Sequence, residues 1–270
     1  MRKILIGICA AAIIITLILT VGYVVGRKIE AEHVELSANV AEPVRFVHIG
    51  DTHFPNCFVS AKELSQTVLA QKPDCVLLTG DIVDGEATAA DIANTAEFFR
   101  EISSACPCFL VIGNHEIGSK ELEPFIETAK SNGITVLLNE IKTQKIKNTE
   151  FAFIGLSDGY PYEEKTFKSV PSLDGKVKIL LSHRPEKFPS YADSEEKIRP
   201  DIAFCGHAHG GGFRIGKAAL YAPNQGLFPE YTSGLYERNG VKMIVTRGLG
   251  VSGVDFRFFN PYHLPIVTVK

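Results

Sequence analysis

Asp51 and His53, Asp81, Asn114 and His115, His183, and His207 and His209 stand in five short stretches: GDTHF, TGDIVDG, IGNHE, LSHRPE and CGHAHGG. Each stretch follows an apolar run that reads as a strand and opens a loop. Carboxylate and amide oxygens mixed with imidazole nitrogens are the donors that divalent cations take. Two such ions with a phosphate between them lower the pKa of water and offset charge on phosphoryl oxygens. That is the chemistry this set of side chains suits.

Each residue has a plainer reading beside the chemical one. Asp51 follows a buried strand and a glycine, where a carboxylate is costly unless paired or bound to a metal; it also suits a helix N-cap. His53, two residues on, can converge with it on one ion. Asp81 ends an apolar strand and should enter the same crevice, and its two oxygens can serve two cations. Asp84 reads either as a solvated turn residue or as the partner that holds an imidazole by a hydrogen bond. Asn114 offers a neutral oxygen. His115 need not be a ligand, since an imidazolium beside a leaving alkoxide acts as a general acid. His183, His207 and His209 read alone as surface residues or as ligands. Arg184 and Arg247 are the best cationic candidates for a substrate phosphate, and each reads equally as an ordinary surface charge.

The elements that must position these groups alternate along the chain. Strands are expected at 44–49, 75–80, 108–113 and 134–139, with helices at 59–71, 88–104 and 120–131 between them. Beyond residue 150 the runs at 151–156, 177–182, 202–206, 241–248 and 265–269 read as strands with few helices. Strand–helix alternation followed by mainly strands predicts an α/β fold of two packed sheets, the first half parallel and covered by helices. Ligand sites in such sheets lie beyond the carboxyl ends of the strands. Of the remaining histidines, His33 falls in a linker, His48 in a strand and His263 in a loop.

The first segment differs in kind. Residues 4–25 are almost wholly apolar, flanked by Arg2–Lys3 and Arg27–Lys28. About 20 such residues cross a bilayer core. The run is long for a cleaved signal, and the one candidate cleavage site, near Val24–Gly26, is poor. Three parts are expected: a transmembrane anchor over 1–28, a linker over 29–42, and a catalytic domain over 43–270. A single-pass placement in the cell membrane follows, with the domain expected outside the cytoplasm. The chain has 270 residues, 45% hydrophobic and 22% charged, with a formal net charge of −3. That balance is ordinary for a globular domain and argues against a general nucleic-acid binder. The six cysteines form no disulfide pattern; Cys75 and Cys205 fall in strand runs as small hydrophobes.

The ordered set Asp-x-His, Gly-Asp-x-x-Asp, Gly-Asn-His-Glu, His and Gly-His-x-His resembles the calcineurin-like metallophosphoesterases, and the match runs from about Val44 to Lys270. The resemblance implies a four-layer sandwich, two mixed sheets flanked by helices, with a dinuclear metal centre at one edge. It places Asp51, His53, Asp81 and His209 on one ion, and Asp81, Asn114, His183 and His207 on the other. His115, oriented by Asp84, would face the leaving group. The implied cofactors are two divalent ions (Mn, Fe, Zn or Co). The implied reaction is hydrolysis of a phosphodiester or phosphomonoester by a metal-bridging hydroxide. GHAHGG, APNQG, TRGLG and FNPYHLP look like the membrane-anchored or exported bacterial branch, some members of which cleave the pyrophosphate of a sugar-nucleotide lipid precursor. The expected substrate is therefore a small-molecule or lipid-linked phosphoester. Gly85–Glu86 stands where the Ser/Thr protein phosphatases carry Arg-Gly, which weakens a phosphoprotein substrate. A catalytically silent membrane scaffold of the same fold is the rival from another class; its mark would be missing ligands, and none is missing.

Overall fold

The apolar runs alternate in which side they bury, and this builds the layers. The computed structural model describes residues 2–252 and 257–270. After helix α1 (Arg2–Gly26) come β1 (Ile29–Leu36), β2 (Val44–Ile49), α2 (Ala61–Ala70), β3 (Cys75–Leu78), α3 (Ala89–Ala105), β4 (Cys108–Leu110), α4 (Asn114–Gly118), α5 (Leu122–Ser131) and β5 (Thr135–Val136). The second half carries β6 (Glu140–Ile146), β7 (Thr149–Leu156), β8 (Val177–Ser182), α6 (Phe188–Ala192) and β9 (Ile202–Cys205). Two short hairpins follow, β10 (Arg214–Ile215) with β11 (Ala218–Ala219), and β12 (Tyr221–Ala222) with β13 (Gly226–Leu227); then β14 (Gly234–Arg238), β15 (Val241–Val245) and β16 (Tyr262–Val269).

One six-stranded sheet has the order β1-β16-β2-β3-β4-β5 and the other β14-β15-β9-β8-β7-β6. β2 to β5 run parallel, as do β7, β8, β9 and β15, while antiparallel pairs close the edges of the second sheet. Val44 and Phe46 of β2, and Cys75 and Leu77 of β3, face the other sheet, where they meet Val177, Ile179 and Leu181 of β8 and Ile202 and Phe204 of β9. Val47 and Ile49, and Val76 and Leu78, point the opposite way onto α2, α3 and α5. Both faces are covered, so these strands read as unbroken apolar runs. The far face of the second sheet is covered by α6 and by loops, through Phe188, Tyr191, Tyr162 and Ile198. The predicted two-sheet α/β architecture is the one observed.

Three expectations need correction. Residues 29–36, read as linker, form β1, paired in parallel with β16 at the sheet edge. Their charges are consumed there: Glu30 binds the Arg247 guanidinium at 2.8 Å, and Glu32 binds His263 Nε2 at 2.8 Å. His263 accordingly lies buried in β16 instead of in a loop, and His33 sits on β1. Arg247 is buried as well, its guanidinium also donating to the Pro261 carbonyl and to Ser233 Oγ. It tethers β1 and is not among the residues that line the pocket described below.

α1 is the one described helix long and apolar enough to cross a membrane. Its 25 residues span about 37 Å at 1.5 Å per residue.

Candidate metal centre

The loops after β2, β3 and β4 in one sheet and after β8 and β9 in the other emerge at the same edge, and they carry every predicted metal ligand. Five of those residues adopt left-handed backbone: Asp51, His53, Asp81, His207 and His209, with φ between 46° and 66°. Non-glycine residues hold that conformation at a cost, one that clusters at functional sites. Neighbouring glycines make room for the carboxylates. A Cβ on Gly113 would lie 2.2 Å from Asp81 Oδ1, and one on Gly206 would lie 2.6 Å from Asp51 Oδ2.

The side chains converge as two triplets. Asp51, His53 and His209 offer donor atoms within 4.8 Å of one another, and so do Asp81, His183 and His207. His53 Nε2 faces His209 Nε2 at 3.2 Å. His183 Nε2 faces Asp81 Oδ2, Asn114 Oδ1 and His207 Nδ1, each at 3.1 Å. Asp81 links the groups, because its Oδ2 is also 3.8 Å from His53 Nε2. Its Oδ1 accepts the backbone N–H of His115 at 2.9 Å. Asp51 is held by the His207 N–H, 2.9 and 3.0 Å from its two oxygens.

The donor chemistry fits cations. His183 Nδ1 lies 2.8 Å from the Thr79 carbonyl, and His207 Nε2 lies 2.7 Å from Asn224 Oδ1. Donating there puts each ring proton on the outer nitrogen and turns the other nitrogen's lone pair inward. Lone pairs then face lone pairs and carboxylate oxygens. Bonds of about 2.0–2.2 Å to a shared ion put neighbouring donors about 3.0–3.5 Å apart, close to the spacing found. The carboxylates make the site favour positive charge, which a proton on His183 meets when no cation is bound. Burial opposes charging His183, yet Asp81 and Asp51 push it up to about 10. Burial raises Asp51 to about 6. Asp81, also buried, is held well below the carboxylate range by His183 and His53.

Two predicted partners are arranged differently from expectation. Asp84 Oδ2 is 3.5 Å from His53 Nδ1 and 3.8 Å from His115 Nδ1, so it stands nearer His53. His53 is the first cause of its lowered pKa, about 2. His115 Nδ1 instead accepts the Gly85 N–H at 3.1 Å. That bond leaves the proton on Nε2, which lies 3.1 Å from Ser252 Oγ in the pocket.

Glu116 was missed as a site residue. It is fully buried, and its carboxylate accepts the backbone N–H groups of Asp81, Ile82, Val83 and Gly113 at 2.9, 2.5, 3.1 and 2.8 Å. It thereby ties the Asp81 loop to the Asn114 loop. Its place three residues after Gly113 was the available signal, since a glutamate at N3 can reach back to the N-cap backbone N–H.

The site opens into a pocket of about 470 Å³ lined by Asp81, Asn114, His115, Arg184, Asn224 and Arg257 among others. Arg184 is oriented there by a two-pronged pair with Asp158 and by Asn224 Oδ1 at 2.6 Å.

Residues 44–211 match the family described as calcineurin-like phosphoesterase. Phosphodiesterase YaeI of Escherichia coli (strain K12) is 28% identical over 220 residues, covering 78% of this chain and 76% of the relative. An uncharacterized metallophosphoesterase of Aquifex aeolicus (strain VF5) is 32% identical over 213 residues, 74% of each chain. The crystal structure of TT1561 of Thermus thermophilus shares the fold at a TM-score of 0.52 and 13% identity, over 77% of this chain and 91% of that one. Ordered motifs, strand-end site and family match agree: the chain belongs to the calcineurin-like metallophosphoesterases, a family of phosphoester hydrolases.

Proposed function

We propose that this protein hydrolyses a phosphodiester or phosphomonoester at a centre of two divalent cations. The observation that carries the reading is Asp81, whose one free oxygen stands between the two triplets. Asp51, His53, Asp81 and His209 would hold one ion, and Asp81, Asn114, His183 and His207 the other. Imidazole with carboxylate and amide oxygen suits Mn, Fe, Zn or Co. Bound ions would supply Lewis acidity at phosphorus and a water of lowered pKa.

The chain's own groups do the rest. Glu116 and the paired glycines fix the two carboxylates. Arg184, anchored by Asp158, presents a guanidinium to a phosphoryl oxygen. His115 holds a proton on Nε2 at the pocket wall, placed for the departing oxygen.

α1 acts as a retained single-pass anchor with the domain outside the cytoplasm. The seating of Gly22 and Gly26 against residues 257–258 supports retention, since a cleaved signal has no need of a fitted seat on the mature domain.

Wild-type protein should hydrolyse a chromogenic phosphodiester or monoester, and Asp81→Asn should lose both bound metal and turnover. Wild-type metal content and rate in that variant would remove the bridging role.

A further inference from the structure

The N-terminal helix and the pocket meet. Gly22 and Gly26 are the buried residues of α1, four positions apart on one face. A Cβ on Gly22 would come within 2.4 Å of the Phe258 ring, and one on Gly26 within 2.1 Å of the Arg257 carbonyl oxygen. Small residues permit such close seating along membrane helices. The Phe259 N–H donates to the Gly22 carbonyl at 3.0 Å. Gly22 still lies inside the apolar run, and Arg257 lines the pocket. The pocket wall is therefore joined to α1 at the level where an anchor leaves the bilayer.

From that joint, backbone hydrogen bonds lead to the main exposed apolar surface outside α1. Phe258 N–H donates to Gly212 O at 3.1 Å and Arg214 N–H to Phe258 O at 3.0 Å. The Phe213 and Phe258 rings stack with centroids 4.8 Å apart. Leu220 N–H donates to Phe213 O at 3.0 Å, and Phe228 N–H to Leu220 O at 2.9 Å. Paired segments lie about 4.8 Å apart, so three steps put Phe228 within roughly 15 Å of Phe258, which packs on the helix. Among the described residues outside α1, five of eight exposed large hydrophobics fall in this one segment: Ile215, Leu220, Tyr221, Leu227 and Phe228. Leu227 is 66% exposed and Phe228 79%. A clustered patch of this kind marks a contact surface. Lys28, just past α1, and Lys217, in the first hairpin, are exposed, and such long side chains can lie along an apolar surface with the charge in water.

We infer that the two hairpins of residues 213–228 rest in the bilayer interface beside α1 and hold the pocket mouth against the lipid surface. The matching substrate is a phosphoester whose phosphate sits at headgroup level with its apolar part in the leaflet. The occupant is the bilayer because the patch continues from the anchor itself; the inference rests on the anchor and hydrolase readings above. Apolar and aromatic side chains sink about 5–10 Å into that boundary.

The chain has no tryptophan, so one can be introduced as a depth probe. Full-length Phe228→Trp and Lys145→Trp, the latter exposed on edge strand β6, would be reconstituted into phosphatidylcholine–phosphatidylglycerol vesicles with brominated acyl chains. Loss of fluorescence at position 228 but not at 145 is expected. Equal fluorescence at both positions, or protection of 228 by a second copy or a protein partner instead of lipid, overturns the docking surface. In a second arm, Leu227→Asp with Phe228→Asp should slow hydrolysis of a bilayer-embedded phosphodiester about tenfold or more while leaving a water-soluble ester unaffected. An equal effect on both substrates overturns the substrate class. Release of the wild type from membranes would sink the anchor reading, and inactivity of the wild type on every ester would sink the hydrolase reading. Neither result depends on the quenching, which judges the hairpins alone.

Discussion

Asp81 gives one oxygen to the backbone and one to the site, and Glu116 gives both of its oxygens to the backbone. That division explains what could be read in advance. Asp81 interrupts an apolar strand, and a carboxylate at a core edge demands a partner. Glu116 follows Asn-His in a short helix, where a Glu reads as surface. Its four N–H partners come from two loops far apart in sequence. Glu116→Ala would leave those buried donors unpaired at a cost of about 3 kcal/mol or more. Thermal unfolding should show Tm lowered by roughly 6–12 °C in a domain of this size; an unshifted Tm would mean the loops do not depend on it. His115→Ala should keep its metal, because its side chain belongs to the pocket wall. Turnover on an unactivated ester should fall about 10²–10⁴-fold, with a smaller loss on a nitrophenyl ester whose leaving group needs no proton. An equal loss on both would take His115 out of the acid role. Arg247 was misread because sequence alone does not reveal Glu30 beside it.

At the scale of elements, the buried parallel strands were legible because both faces are covered and the runs are continuous. β1 was not. Ile-Glu-Ala-Glu-His-Val-Glu-Leu alternates charge with small or apolar residues, the pattern of an edge strand, and beside the anchor it reads equally as a stalk. The hairpins between residues 213 and 228 were hidden by two-residue strands too short for any periodicity. Glycine placement links elements to chemistry. Gly206 follows β9 with its Cα turned toward Asp51, so Gly206→Ala is a steric test at a position without left-handed backbone. The methyl would displace the Asp51 carboxylate while His183 and Asn114 stay in place. Metal analysis should find one equivalent lost and the second kept, in a protein that still unfolds cooperatively. Two equivalents retained would show that Asp51 can shift without leaving an ion.

Across the whole molecule, two sheets deliver loops to one edge, and neither sheet alone carries a complete donor set. Asp51, Asp81 and Asn114 come from one, and His183, His207 and His209 from the other. The fold class and this convergence were readable because the motifs follow the strands in order. Which pocket residues flank the donor cluster, and how α1 meets the pocket wall at Arg257, required the tertiary structure. The central claim is that cations held between the sheets drive phosphoester hydrolysis. It is tested most directly by stripping the full-length protein with chelator and titrating Mn²⁺ back while following a chromogenic phosphodiester. The account predicts background rates in the stripped protein and recovery that saturates near two equivalents. Hydrolysis that persists without metal, or metal that binds without restoring any rate, would contradict it.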